Sequence, residues 1–282
     1  MASNMIIGIL NYVDSPGTIS ADTAVGTLPV SNLQDRQLVK VFRNTATSSV
    51  ITVDFGSIKT IDHVALVDHN ITQAGTINID LSTVSDFSVL AYDGAAEIAW
   101  PTAEEFGTLP WGVFVWGGIL GSTVGYKISS YAIMPTTIAA RYLRITISDS
   151  TNTDGYIQAG RLVAGPSYVP SVNAAFGMEF EFVDNSRVSK SRGGQTFIDE
   201  VDRYRVCRFE LRNIPQDEMM ANVFNNLDRL RGVAKDVLII PQPDDSDTWI
   251  TQNVYGRVIS SSPVYNTGMS LYGRQFEIEE LI

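Results

Sequence analysis

Apolar and polar side chains alternate residue by residue in short runs along the chain. Ile51, Val53 and Phe55 alternate with Thr52 and Asp54, Ile77, Ile79 and Leu81 with Asn78 and Asp80, and Leu143, Ile145 and Ile147 with Arg144, Thr146 and Ser148. A period of two belongs to a strand with one buried and one wetted face, and it does not fit a helical turn. Met5–Leu10, Val50–Phe55, His63–Val67, Thr76–Leu81, Tyr142–Ile147 and Ile157–Val163 read as strands, and clusters of Gly, Asn, Asp and Ser between them read as turns. No amphipathic helix is evident before residue 165. The first part of the chain is therefore expected to be an antiparallel sandwich of about seven to nine strands.

A length of 282 residues is long for one core, which favours two domains. Gly165-Pro166 and Tyr168-Val169-Pro170 place the boundary, giving residues 1–165 and 166–282. In the second part Phe176, Met178, Phe180 and Phe182 share one face of a strand. Arg203–Leu211 reads as another, with Tyr204, Val206 and Phe209 or Leu211 inward and a bulge between Val206 and Phe209; Cys207 is by default a buried structural cysteine, covered at an interface if it lies on the wet face. A helix is predicted over 215–231. Asn213 and Pro215 suit its start, Asp217 and Glu218 its positive end, and Gly232 its stop. Its apolar stripe is Met220, Val223, Phe224, Leu227 and Leu230 or Arg231. Strands Asp236–Ile240, Val254–Ser260 and Ser270–Ile278 follow. The expected class is mainly β: an N-terminal antiparallel jelly-roll sandwich and a C-terminal β domain with one packed helix.

Charge excludes one class of partner. The formal net charge is −11. Both halves are acidic, with 8 basic against 14 acidic residues in 1–165 and 12 against 17 in 166–282. Neither is a body that neutralises phosphates, so no sequence-specific nucleic-acid binding is expected. The one cysteine, Cys207, has no internal disulfide partner. No run approaches the roughly 18 apolar residues of a membrane span, and Met1–Leu10 lacks the pattern of a signal peptide, so the expectation is a chain made in a reducing cytosol.

Catalytic signatures are missing from the sequence. His63 and His69, flanked by Asp62 and Asp68, stand six residues apart, but the strand is read as ending at Val67 with His69 in the next turn, so no metal site is predicted. Gly117–Ser122 is glycine-rich without the Lys-Ser/Thr pair of a phosphate loop. The pairs Glu104-Glu105 and Asp244-Asp245 sit on no regular element, and adjacent carboxylates point apart. No catalytic residue, cofactor or metal is assigned. Trp100, Trp111 and Trp116 fall within 17 residues; they form either an aromatic ligand surface or core filling. The polar segment Asp184–Asp202 exceeds the usual hairpin loop, and its basic residues Arg187, Lys190 and Arg192 are candidates to meet a neighbour's acidic face or a phosphate. The candidate interaction surface is thus Trp111, Trp116, Arg187, Lys190 and Arg192.

Leu28–Leu33, Phe42-Arg43, Ile51–Gly56, Ile61–Ile71 and Arg141–Ile145 together resemble the strands of a discoidin-type, galactose-binding-like jelly roll over about residues 25–165. The order of the second part, Phe176–Phe182, the loop Asp184–Asp202, Tyr204–Leu211 and the helix Pro215–Arg231, is similar to tail-tube or distal-tail modules of tailed bacteriophages. That resemblance implies a structural protein of a phage tail tip or baseplate, a virion component assembled in the host cytoplasm. It implies a homo-oligomeric ring around the tail channel, contacts with other tail-tip proteins and a host-surface glycan as a further partner. A carbohydrate-binding adhesion protein is the second reading, favoured by exposed Trp111 or Trp116. A carbohydrate-active hydrolase, which needs two close carboxylates in a cleft, is the third.

Overall fold

The computed structural model describes residues 3–14, 16–100 and 126–282. It is mainly β, with two large antiparallel sheets and two short helical segments packed against the second. Strands β1 (Ile6–Gly8), β2 (Thr18–Ala21), β3 (Phe42–Arg43), β4 (Ser48–His69), β5 (Thr76–Ser82), β6 (Leu90–Asp93), β7 (Glu97–Ile98), β8 (Ser130–Ser148), β9 (Gln158–Gly165) and β10 (Ser167–Tyr168) come first. The first sheet runs β3-β9-β4-β8-β5-β6, with β2 beside β4 and β7 beside β5.

Two long strands make this sheet into a jelly-roll-like sandwich. Val50–Phe55 and His63–Val67, read from sequence as separate strands, are the two ends of the 22-residue β4. The strand bends at Gly56, whose φ of 77° lies where a side chain is disfavoured, and its register with β8 shifts between Asp54 and Lys59. Before the bend β4 pairs with β2 and the far half of β8; after it, with β9 and the near half of β8. Ile51, Val53, Phe55, Leu143, Ile145 and Ile147 of one layer then face Val64, Leu66, Leu162 and Ala164 of the other in a single core. Each such side chain contributes roughly 1.5–3 kcal/mol through the apolar surface it removes from water.

The chain continues as β11 (Glu179–Val183), β12 (Arg187–Lys190), β13 (Thr196–Asp199), β14 (Tyr204–Pro215), β15 (Asp236–Ile240), β16 (Val254–Ser261), β17 (Tyr265–Gly268) and β18 (Leu271–Glu280). The second sheet runs β10-β1-β15-β16-β18-β14-β11, with β17 beside β18. The Met5–Leu10 run therefore supplies a strand to this sheet, pairing Ile6 with Ile240 and Gly8 with Leu238, and not to the sandwich. Cys207 is buried with Phe209 and Leu211 in the core of this sheet, and Val206 is buried on the opposite face. The expected bulge near Val206 is replaced by an irregularity between Leu211 and Ile214.

The helical segment spans Gln216–Glu218 and Met219–Arg229. Much of it is wound more widely than an α-helix, as in the bond from Leu230 N to Asn225 O. That winding buries Met219, Val223 and Leu227 at a strict four-residue interval and leaves Phe224 and Leu230 exposed, unlike the α-helical stripe expected. At the sheet edge, β11 exposes Phe180 and Phe182, and Phe176 before it is fully exposed. The face expected to be buried is only partly covered: Met178 packs against the core of the second sheet and Phe182 stands edge-on to Tyr126 with centroids 5.5 Å apart.

The two sheets are joined by a third core. Ala65, Val67 and Val163 on the outer face of the sandwich pack against Ile6, Leu238, Ile240 and Tyr255. This is why β9 is buried on both faces. Arg161 sits in this junction, wholly buried, and donates to Tyr255 Oη (3.0 Å), the Leu33 carbonyl (3.3 Å), Asp236 Oδ2 (2.9 Å) and Asp14 Oδ2 (3.0 Å). Burial opposes ionisation of Asp236, but the charge and hydrogen bonds of Arg161 and the Tyr255 hydroxyl outweigh it and hold the carboxyl below its usual range.

Candidate functional site

A cleft lies where the sandwich meets the loop before β16. Four half-buried aromatic rings line it: Tyr92 from β6, Trp100 after β7, Tyr131 from β8 and Trp249 from the second part of the chain. The hollow measures about 170 Å³. That is below the roughly 300–1,000 Å³ of a site that encloses a drug-sized ligand, so it is a shallow hollow and not an enclosing pocket.

Each tryptophan is fixed by its polar edge. The Trp100 indole N–H donates to the Ile71 carbonyl at 3.0 Å. The neighbouring Thr72 donates from its backbone N–H (2.6 Å) and hydroxyl (2.8 Å) to Asp149. Burial raises the Asp149 carboxyl, but these bonds and those from Thr151 lower it further, so it is a firm anion anchoring the loop that holds Trp100. The Trp249 indole donates to the Gln242 carbonyl at 3.2 Å and stands edge-on to Tyr131, with centroids 5.7 Å apart at 80°. Trp249 opens a one-turn helix, Trp249–Gln252, between β15 and β16. Arg205 holds that turn by donating to the carbonyls of Ile250 (2.9 Å) and Thr251 (3.1 Å) while paired with buried Glu280.

The phenols and acids complete the lining. Burial pushes the Tyr131 phenol up to about 12. Burial, then the adjacent Glu97 carboxylate, raises that of Tyr92. Glu97 itself is exposed at the rim.

One pair beside the cleft has the composition of a nucleophile and its base. His69 Nε2 lies 2.7 Å from Ser130 Oγ. The Ile71 backbone N–H donates to His69 Nδ1 at 3.3 Å, so Nε2 carries the ring proton and donates to the serine. The Ser130 hydroxyl in turn donates to the Ala99 carbonyl. A catalytic base needs the opposite tautomer, with Nε2 free to accept the hydroxyl proton. Burial also lowers the His69 pKa to about 3. The pair is a brace that ties β4, β8 and the Trp100 segment together. His69 belongs to β4 and not to the following turn. Asp68, with a φ of 54°, breaks the strand's alternation just before His69, so spacing does not put His69 on one face with buried His63, whose Nδ1 lies 2.9 Å from Asp62. Among the described residues no group of three His, Cys, Asp or Glu side chains is placed to hold a metal. No helix among them is long and apolar enough to cross a membrane.

The residues singled out from sequence are dispersed. Trp111 and Trp116, with Glu104, Glu105 and Gly117–Ser122, lie outside the described residues. Arg187 and Lys190 lie on β12, and Arg192 at the turn into β13. The polar segment thus forms its own ribbon, exposed along its length and away from the aromatic cleft. Tyr92, Tyr131 and Trp249 were not marked by sequence. They come from three distant segments with no shared spacing, and the one available signal was a tryptophan two residues after the acidic run Asp244–Asp247.

No protein-family model matches the chain, and no curated protein does. Among solved structures the chain resembles the lectin domain of Lectinolysin complexed with Lewis B antigen, at 12% identity over 56% of this chain and 98% of that one, with a TM-score of 0.39. The CpGH89CBM32-6 module produced by Clostridium perfringens matches at 12% identity over 57% and 99%, with a TM-score of 0.38. A Ruminococcus gnavus GH29 fucosidase in complex with fucose matches at 11% identity over 56% of this chain and 27% of its own, with a TM-score of 0.39. These are lectin, carbohydrate-binding and glycosidase proteins, not virion proteins, which corrects the expectation of a bacteriophage tail or baseplate component. At such identities and TM-scores they assign neither a ligand nor a site to this chain.

Proposed function

We propose that this chain is a non-catalytic carbohydrate-binding protein and that the aromatic cleft is its sugar site. The observation that carries the reading is the convergence of Tyr92, Trp100, Tyr131 and Trp249 on one shallow hollow. A pyranose has an apolar face of axial C–H groups and a rim of hydroxyls. Aromatic rings cover the first, and polar groups at the edge, here Glu97 and Ser246, meet the second. The rings are held before the ligand arrives, which lowers the ordering cost of binding. The tautomer of His69 turns Ser130 into a structural hydroxyl, which favours binding over hydrolysis.

Calorimetric titration with galactose-, fucose- and glucose-based oligosaccharides tests this. Trp249→Ala removes one wall and is expected to weaken binding by about tenfold or more, ~1.4 kcal/mol, with an unchanged circular dichroism spectrum. Unaltered affinity in a folded Trp249→Ala variant would place the sugar elsewhere.

A further inference from the structure

The cleft does not end at its four rings. A second hollow continues from it along the β8 edge, past Ile133 and Pro135 to Ser3 and Asp244, and shares Tyr92, Tyr131 and Trp249 with the first. The result is one groove with the sandwich on one side and the segment Pro243–Trp249 on the other. Among the described residues its charge has a single sign. Glu97 and Asp244 are its charged residues, and no Lys, Arg or His is among the described residues lining either hollow. Arg205, the guanidinium closest in influence to Tyr131, is neutralised by Glu280. Asp244 accepts the Ser3 backbone N–H and a bond from the Ser3 side chain, and these hold its carboxyl below the usual range.

We infer that the groove takes an extended glycan of amino sugars, with protonated amines facing Glu97 and Asp244 and pyranose faces on Trp100 and Trp249. This rests on the carbohydrate reading above and adds the class of sugar. An anionic chain such as a polyuronate meets two carboxylates with no counter-charge in the groove, which disfavours it. A neutral chain keeps the stacking and the hydroxyl hydrogen bonds to the rim but gains no charge pairing. Pairs at a solvent-exposed rim contribute modestly, so two of them give a preference of about fivefold to tenfold, reduced at high salt.

The test uses the full chain and three probes of similar length at pH 5.5 and low ionic strength: a glucosamine tetramer, its fully N-acetylated counterpart and tetragalacturonate. The expected order is glucosamine tetramer about fivefold or more tighter than the acetylated tetramer, with the uronate weakest. Glu97→Gln, which keeps a hydrogen-bonding group at the rim, is expected to bring the first two within about twofold by weakening the glucosamine tetramer more than the acetylated one, a differential that misfolding does not mimic. Equal binding of the first two probes, or tighter binding of the uronate, overturns the amino-sugar inference and leaves the carbohydrate site standing. If these probes and the neutral oligosaccharides all fail to bind, the carbohydrate reading itself falls.

Discussion

Replacing Arg161 with Met separates the two sheets' junction from everything else that stabilises them. The guanidinium is wholly buried and donates to Asp236, Asp14, Tyr255 and the Leu33 carbonyl. Met fills much of the same volume but leaves Asp236, which is 5% exposed, short of its main counter-charge. Breaking a buried pair from one side costs about 3–5 kcal/mol. The lower end applies here, because Arg36 Nε remains 3.0 Å from Asp236 Oδ1 and Tyr255 still donates at 2.8 Å. Asp14 is partly exposed, so water takes over its share. Against a typical total of about 5–15 kcal/mol, a loss of ~3 kcal/mol is large. Urea unfolding measures it as a lowered midpoint at unchanged slope. Sugar affinity should fall with it, since Trp249 and Trp100 reach the cleft from opposite sides of that junction. A loss under about 1 kcal/mol would refute the view that Arg161 ties the sheets together.

Stability should also fall as pH is lowered from about 6.5, through His69. Its folded pKa of about 3 lies below the ordinary value near 6.5. Between the two the unfolded chain binds a proton that the folded chain does not, so the slope approaches ~1.4 kcal/mol per pH unit. His69→Gln is expected to flatten the dependence between pH 6 and 5; an identical slope in both proteins would contradict the burial of a neutral imidazole. Cys207 offers a chemical check, because burial pushes its thiol up to about 12. The folded protein at pH 8 should leave Ellman's reagent unreacted over a time in which the denatured chain reacts fully, and equal rates would place Cys207 outside the core.

Alternation reports which residues share a face, and where one face is covered and the other wetted the reading was sound. Ile51, Val53 and Phe55 are buried together, as are Leu143, Ile145 and Ile147. Alternation does not report whether a face is covered. Phe180 and Phe182 share a face as expected, yet both are exposed, since β11 closes the edge of its sheet. Nor does it reveal a strand buried on both faces, which is why Val206 and Phe209, both buried, were read as needing a bulge between them. The three residues of β1 carry no local sign of which sheet they join; Leu238 and Ile240, more than 200 positions away, decide it. The cleft was illegible for the same reason. Tyr92, Tyr131 and Trp249 become neighbours only after the sheets dock.

The most direct test is fluorine NMR of protein carrying 5-fluorotryptophan, with signals assigned by single Trp→Phe variants and titrated with the glucosamine tetramer. The resonances of Trp100 and Trp249 are predicted to shift together along one saturable curve. Saturable binding that leaves both unmoved would contradict the sugar site between the sheets.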